Sequence, residues 1–299
     1  MKEVGILIVT YNRLELLQEE IASIRNQTFK DYDIIVVNNC SSDATKVWLN
    51  DQKDIHSIHI EPQNIGPAKA FSLGIKFIVE KNYKFCWLMD DDVWCRPDAL
   101  EQLYKAYYLK DDVGFVCSKV EGVDGCPMNV PNIDVRPTSN GYSSYADMLD
   151  HQMVKVIDCT FVSMLISSSI IIKVGLPIGE MYNWGVDTEY SIRISKNHDC
   201  YMVNRSVVVH KRLIQKVLDF VNETEKDRIS YHKKRFYISY FMEKCKDGIS
   251  IHKFILKTLY ESLNLIIKGK FKHSFIYLFW SLRGLSFNPK INFICNTYE

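Results

Sequence analysis

Phe85-Cys86-Trp87-Leu88-Met89-Asp90-Asp91-Asp92 sets five apolar residues in a row directly before three carboxylates. An apolar run of that length, bounded by charge, reads as a strand buried on both faces. Such strands belong to parallel sheets covered by helices, not to hairpin sheets with one wet face. The upstream sequence repeats the pattern. Val4 to Val9 and Ile34 to Val37 are further continuous apolar runs, and Ile55 to Ile60 reads as a strand between them and Phe85. Leu14 to Asn26 carries Leu14, Leu17, Ile21 and Ile24 at helical spacing. Ala44 to Asn50 reads as a short helix, and Pro67 to Glu80 as a long one with Pro67 in its first turn. Strands alternating with crossover helices predict an α/β fold with a mostly parallel sheet.

Ligands of such sheets bind beyond the carboxyl ends of the strands. The segments that follow the four strands are Thr10-Tyr11-Asn12-Arg13, Asn38 to Asp43, Asn64-Ile65-Gly66-Pro67 and Asp90-Asp91-Asp92. All are polar, and the topology places them on one sheet edge. Further along, Asp98 to Leu109 is expected to be a helix and Gly114 to Cys117 a strand. Cys159 to Ile172 reads as strand, turn and helix, closed by Gly175-Leu176-Pro177, and Tyr201 to His210 as a last strand. Residues 121–145 are rich in Gly, Pro, Asn and Ser without periodicity, as in a long loop or lid on the acceptor side. Beyond about residue 212 the composition turns basic and aromatic with helical patterns. The expected division is a catalytic α/β domain over 1–212 and a helical region over 213–299.

Bulk properties narrow the function. The 299 residues contain 37 Lys plus Arg against 36 Asp plus Glu, so no global field recruits nucleic acid and anion binding must be local. Nine cysteines show no CxxC pair and no zinc-ligand spacing, and fit reduced thiols. Val4 to Val9 is too short for a signal-peptide core, and no apolar stretch reaches the length of a membrane span. These features predict a cytoplasmic chain. In the C-terminal region Ile255, Leu259, Leu263 and Ile266 recur at helical spacing near Lys257, Lys268, Lys270 and Lys272. Such a stretch either lies peripherally on an anionic membrane surface, packs on the catalytic domain or forms a homo-oligomer contact.

Three adjacent carboxylates repel one another unless cations are present. Alternation along an extended segment puts Asp90 and Asp92 on one side and Asp91 on the other. Two carboxylates on one side suit Mg²⁺ or Mn²⁺, which in turn neutralises a diphosphate. The plainer reading is a solvated acidic turn that caps the next helix. His210 ends an apolar strand and is a further candidate ligand; His56, His59, His151 and His198 lack such a context. Tyr182-Asn183-Trp184-Gly185-Val186-Asp187-Thr188-Glu189-Tyr190 puts two acids beside aromatic rings, on which the apolar C–H face of a sugar stacks. A carboxylate there suits proton abstraction from a hydroxyl, and equally suits helix capping. Asn64-Ile65-Gly66-Pro67-Ala68-Lys69-Ala70 opens a helix whose N-terminus suits an anion or a ribose.

Taken in order, Val-Thr-Tyr-Asn-Arg, Val-Asn-Asn-Cys-Ser-Ser-Asp, Asn-Ile-Gly-Pro-Ala-Lys-Ala, Asp-Asp-Asp, Trp-Gly-Val-Asp-Thr-Glu-Tyr and the strand-final His resemble family-2 glycosyltransferases over residues 3–212. Within that family the motifs are most similar to bacterial galactofuranosyl- and rhamnosyltransferases of polysaccharide biosynthesis (O-antigen, capsule, cell wall). The resemblance implies a GT-A (Rossmann-like) fold, a nucleotide-sugar donor and inversion by single displacement. It implies UDP-galactofuranose as donor and a growing glycan or lipid-linked glycan as acceptor, with dTDP-rhamnose transfer as the alternative. By match to the motifs, Thr10, Tyr11, Arg13, Asn39, Asn64, Lys69, Asp90 and Asp91 bind the nucleotide sugar. Asp92 and His210, with Asp90, hold Mn²⁺ or Mg²⁺. Asp187 is the general base, and Trp184 and Glu189 line the acceptor pocket. The chain departs from the pattern in carrying Val186 before Asp187, and Ser163 where glycine is often found; the latter bears on acceptor identity. A non-catalytic nucleotide-sugar-binding module and a nucleotidyltransferase are the competing classes. The latter normally carries a Gly-rich signature with a basic residue directly after the first strand, where this chain has Thr10-Tyr11-Asn12.

Overall fold

The computed structural model describes residues 2–212 and 219–294. Residues 213–218 and 295–299 of the expected C-terminal region lie outside the described residues. The chain divides into two compact units, Met1–Leu213 with Ile291–Glu299, and Ile214–Lys290.

The first unit is built on a sheet of nine strands: β1 Val4–Thr10, β2 Tyr32–Asn38, β3 Ile55–His59, β4 Phe85–Asp90, β5 Val93–Cys95, β6 Val113–Glu121, β7 Met153–Lys155, β8 Met164–Ser167 and β9 Asp199–His210. Their order is β3-β2-β1-β4-β8-β6-β9-β5, with β7 also paired to β9. The half read from apolar runs and crossover helices, β3-β2-β1-β4, is parallel throughout. The other half is mixed: β8 runs antiparallel to β4 and β6, while β6 and β9 are parallel. The short strands β5 and β7 escape the sequence reading, because three residues are too few to show a period.

Helices α1 Leu14–Arg25, α2 Thr45–Asn50, α3 Pro67–Glu80, α4 Ala99–Tyr107, α5 Ser168–Val174 and α6 Val186–Ser195 complete this unit. In α3 the position facing β1 is Gly74; a Cβ there would lie 2.3 Å from Leu7 Cδ1, and Leu7 is fully buried. The irregular stretch after β6 is tied down: Asn132 donates to both Asp158 oxygens, and the Asp134 amide to Lys155 O. Residues 291–294 return to this unit, where the Leu176 amide donates to Asn292 O at 2.8 Å. Cys86, Cys117 and Cys159 are buried free thiols, as their apolar context suggests.

Ser163 has a structural explanation. It is buried, and its hydroxyl accepts the Trp87 indole N–H at 2.9 Å. It joins Ser118 Oγ at 2.7 Å, which joins Ser206 Oγ at 2.7 Å, which donates to Ala99 O at 2.9 Å. The relay stitches β4, β6, β8 and β9 through the core. Its inaccessibility corrects the expectation that Ser163 bears on the acceptor.

The second unit consists of α7 Lys226–Asp247, α8 Ile251–Ile267 and α9 Phe271–Arg283, matching the helical pattern. Its interior is aromatic: Phe236 meets Phe220 and Tyr277 edge-on. Among the described residues no helix is long and apolar enough to cross a membrane.

Ser163→Ala strands the indole N–H of the fully buried Trp87 and one Ser118 contact. It is expected to cost about 1–3 kcal/mol in urea unfolding; an unchanged midpoint would contradict the relay.

Candidate active site

The four polar strand-end segments do converge, and hydrogen bonds knit them together. The Asn12 amide donates to Ser41 Oγ at 3.0 Å, and Asn12 Oδ1 accepts from the Ser42 amide at 2.7 Å. Asn12 has φ 54° and Cys40 φ 65°, so both loops turn sharply as they leave β1 and β2. Asn39 Nδ2 donates to Asn64 Oδ1 at 3.0 Å, while Asn39 Oδ1 accepts from the Ile65 amide. Thr10 is buried where β1 ends, and Tyr11 beside it is 45 % exposed.

The N-terminus of α3 differs from the expectation of an open anion site. The Gly66 amide is taken by Asn64 Oδ1 at 2.7 Å and the Ala68 amide by Tyr182 O at 2.8 Å. Gly66 has φ 83°, and a Cβ on it would meet the Tyr182 ring at 2.7 Å. The first amide is tied within its own segment and the second to the loop at Tyr182. Lys69 is exposed, and its stem lies over Gly179.

Asp90, Asp92 and His210 each present a ligand atom, all within 4.8 Å of one another. Chain geometry brings the histidine there: β5 pairs antiparallel with β9 so that Val93 opposes His210, and the Lys211 amide donates to Asp92 O at 2.7 Å. His210 Nδ1 lies 2.9 Å from Asn129 Oδ1. That amide oxygen can only accept, so it keeps a proton on Nδ1 and turns Nε2 into the cluster. Nε2 stands 3.0 Å from Asp92 Oδ1, yet this buried oxygen has no properly directed donor. A carboxylate oxygen and an imidazole nitrogen facing one another suit a divalent cation shared between them in place of a proton.

Asp91 and Asp92 lie in the turn after β4, not in an extended segment, so strict alternation does not govern them, and Asp91 faces the β1 loop. It accepts from the Tyr11 amide at 3.4 Å and from Arg13 at 3.0 Å. The same Arg13 nitrogen reaches Asp92 Oδ2 at 2.9 Å. Arg13 therefore clamps two carboxylates to the β1 loop. Burial pushes the Asp90 carboxyl up to about 7, helped by Asp92, Asp91 and Asp187 and opposed by His210. Asp92 goes down: burial opposes ionisation, but His210 and Arg13 outweigh it.

Asp187 lies in the first turn of α6, near enough to add to the repulsion at Asp90. Its Oδ1 accepts from the Thr188 amide at 2.7 Å; among the described residues no hydrogen bond reaches Oδ2. Burial raises its pKa, only partly offset by the Thr188 hydrogen bonds. Trp184 stands three residues before it. Glu189 departs from its expected acceptor role. It is buried, and both its oxygens are held by Arg193, at 2.9 and 2.8 Å. Arg193 also donates to Val174 O and Leu176 O, so this pair locks α6 to the end of α5.

A cavity of about 570 Å³ lined by Lys84, Phe85, Tyr107, Ser168 and Lys173 opens at the other end of β4, and none of the candidate residues lines it. The sequence reading missed Asn129, hidden in an aperiodic stretch, and Glu20. Glu20 sits on α1, is 1 % exposed, and neither of its oxygens has a hydrogen-bond partner. Its placement is foreshadowed by the α1 period, since it falls three residues after Leu17 and four before Ile24, both in the core.

Residues 5–175 match the family model described as Glycosyl transferase family 2. The chain belongs to that family. Among curated relatives, an uncharacterized glycosyltransferase of Bacillus subtilis, YwdF, is 34 % identical over 112 residues, 37 % of this chain and 40 % of that protein. The GalNAc(5)-diNAcBac-PP-undecaprenol beta-1,3-glucosyltransferase of Campylobacter jejuni is 49 % identical over 107 residues, 34 % of each chain. This family-2 chain thus spans well under half the length of either relative. The fold resembles that of GalNAc-T7 crystallised with UDP, GalNAc and Mn²⁺, with a TM-score of 0.57 and 14 % identity over 82 % of this chain and 50 % of that one. It also resembles Staphylococcus aureus TarS 1–349 in complex with UDP, with a TM-score of 0.55 and 13 % identity over 86 % of this chain and 78 % of that one.

Asn129→Ala removes the acceptor that orients His210 and is expected to weaken Mn²⁺ binding by about 10–100-fold with the fold intact. Calorimetric titration reads this directly, and an unchanged affinity would free His210 from Asn129. Burial, with the three aspartates, lifts the Glu20 carboxyl well above its ordinary value. An acid raised by folding withdraws stability as pH climbs past its unfolded value, because only the unfolded chain ionises. Glu20→Gln is therefore expected to stabilise the protein by about 1–3 kcal/mol at pH 8. The gain should fade toward pH 4.5 in urea unfolding; a gain independent of pH would show that Glu20 is not the titrating group.

Proposed function

We propose that this chain is an inverting hexosyltransferase that moves a sugar from a UDP-sugar to a hydroxyl of a growing cell-surface glycan or lipid-linked glycan. It acts on the cytoplasmic side, peripheral to the membrane. The observation that carries the reading is the meeting of Asp90, Asp92 and His210 within 4.8 Å at the sheet edge. The orphaned Asp92 Oδ1 beside the His210 ring supports Mn²⁺ or Mg²⁺ as the group held there. When bound, such a cation offsets the charge of a diphosphate leaving group.

The chain's own residues supply the rest. Thr10, Tyr11, Asn39 and Asn64 frame the loops at the ends of β1 to β3, where the uridine and ribose bind. Asp90 and Asp91 flank the donor, and Lys69 brings an ammonium to the same edge. Arg13 orients Asp91 and Asp92 and offers its exposed face to the diphosphate. Trp184 gives the acceptor sugar an aromatic wall. Glu189 acts by fixing α6, which sets the position of Asp187. Asp187 takes the proton of the acceptor hydroxyl, and that oxygen attacks the anomeric carbon opposite the leaving group. The bond from that carbon to the UDP oxygen breaks with its electron pair remaining on UDP, and the configuration inverts.

Two donor readings have specific support. The order of motifs favours UDP-galactofuranose, whereas 49 % identity over 107 residues to a beta-1,3-glucosyltransferase favours UDP-glucose. A screen of UDP-galactofuranose, UDP-galactopyranose, UDP-glucose and dTDP-rhamnose, with and without Mn²⁺, separates them. Transfer is expected with a UDP-sugar and Mn²⁺, and Asp187→Asn should lower kcat by about 10²–10⁴-fold while donor binding persists. A base is active when ionised, so the raised Asp187 pKa moves the acid limb of the kcat profile above the ordinary carboxylate range. Full activity in Asp187→Asn removes the assignment, and transfer with no donor removes the function.

A further inference from the structure

The second unit carries a surface that the glycosyl-transfer site does not use. Helix α8 has two opposed apolar faces. Phe254, Thr258, Ser262 and Leu265 point inward and are buried. On the other side Leu256 is 67 % and Ile267 75 % exposed, with Leu259, Tyr260, Leu263 and Ile266 exposed between them. At 100° per residue these six fall within an arc of about 120°, running about 17 Å along the helix to its C-terminal end. Helix α9 repeats the arrangement: Ser274, Ile276 and Ser281 are buried, whereas Phe271, Phe275 and Phe279 are exposed at successive turns. The Phe275 and Phe279 rings stack at 6.0 Å.

The two helices form one rigid hairpin. Ser274 Oγ lies 2.7 Å from Ser262 Oγ and donates to Ser262 O at 2.8 Å, which lets the helices approach closely. The turn is Lys268-Gly269-Lys270, with Gly269 at φ 71°, its amide on Ile266 O and the Lys270 amide on Leu265 O. The tip thus places Ile267 and Phe271 outward among Lys268, Lys270 and Lys272.

A soluble monomer rarely exposes a contiguous apolar face of this size. Charge decides what covers it. Residues 251–283 carry Lys253, Lys257, Lys268, Lys270, Lys272 and Arg283 against the single acid Glu261. A second copy seated by a two-fold axis would set this basic rim against itself. An anionic lipid surface accepts both features: the apolar side chains enter the acyl boundary while the ammonium groups stay among the headgroups. We infer that the α8–α9 hairpin docks the protein on the surface of an anionic lipid bilayer, with Ile267 and Phe271 entering it and Lys268, Lys270 and Lys272 holding the headgroups.

The test is flotation of the full chain with vesicles of phosphatidylcholine alone and of phosphatidylcholine mixed with phosphatidylglycerol. The chain should float with the anionic vesicles, less at high salt, and poorly with the neutral ones. The double variant Ile267→Glu, Phe271→Glu should lose partitioning by roughly tenfold or more, and so should the triple variant Lys268→Glu, Lys270→Glu, Lys272→Glu. All five side chains lie at the tip, outside the buried core, and circular dichroism checks that the variants remain folded. Failure of the native chain to float overturns the proposal, as does undiminished flotation of both folded variants. A dimer in light scattering that the double variant dissolves, without flotation of the native chain, assigns the surface to a second copy instead.

Discussion

The candidate site depends on one antiparallel register. Val93 opposes His210 across β5 and β9, and the Lys211 amide closes on the Asp92 carbonyl. Asp92 is thereby fixed between its own strand end and a strand that arrives from far downstream. A shift of one residue would turn the His210 ring to the other face of β9, since side chains alternate along a strand. The three-residue strand β5 thus decides whether Asp90 and Asp92 meet a third ligand.

Like charges so close together need compensation, and the surroundings supply it unevenly. Arg13 neutralises Asp91 and Asp92 from the β1 loop, so these two carboxylates lean on the protein while Asp90 holds its proton up to about 7. Burial and the three aspartates raise the Glu20 carboxyl, which works against stability as pH passes its unfolded value. Strain of this kind concentrates where a fold is committed to binding charge. The loops around the cluster are cross-linked by hydrogen bonds from Asn12, Asn39 and Asn64.

Several residues carry more than one structural duty, which is why motif spacing alone assigns them incompletely. Glu189 belongs to a helix-start pattern that reads as an acceptor contact, but Arg193 occupies both of its oxygens. The α3 N-terminus has the composition of an anion cradle, but its amides are spent on Asn64 and on the carbonyl of Tyr182. Ser163 sits where a motif variation suggests a pocket, and it is a core hydroxyl holding an indole. In each case the deciding fact is the partner that already holds the group, one turn away for Glu189 and distant in sequence for Ser163 and the Ala68 amide.

By itself the sequence determined the parallel half of the sheet, the helices around it and the convergence of four polar loops on one edge. It does so because buried parallel strands are continuous apolar runs and because crossover topology puts their ends together. The pairing of Asp91 with Asp92 through Arg13 was not legible, since the chain turns directly after Asp90 and strand alternation ends there. Tertiary structure alone decided the strand pairing of the mixed half, the register that delivers His210 and the orienting contact from Asn129. Those features rest on pairings between residues far apart in the chain, and neither period nor propensity within a segment encodes a partner outside it.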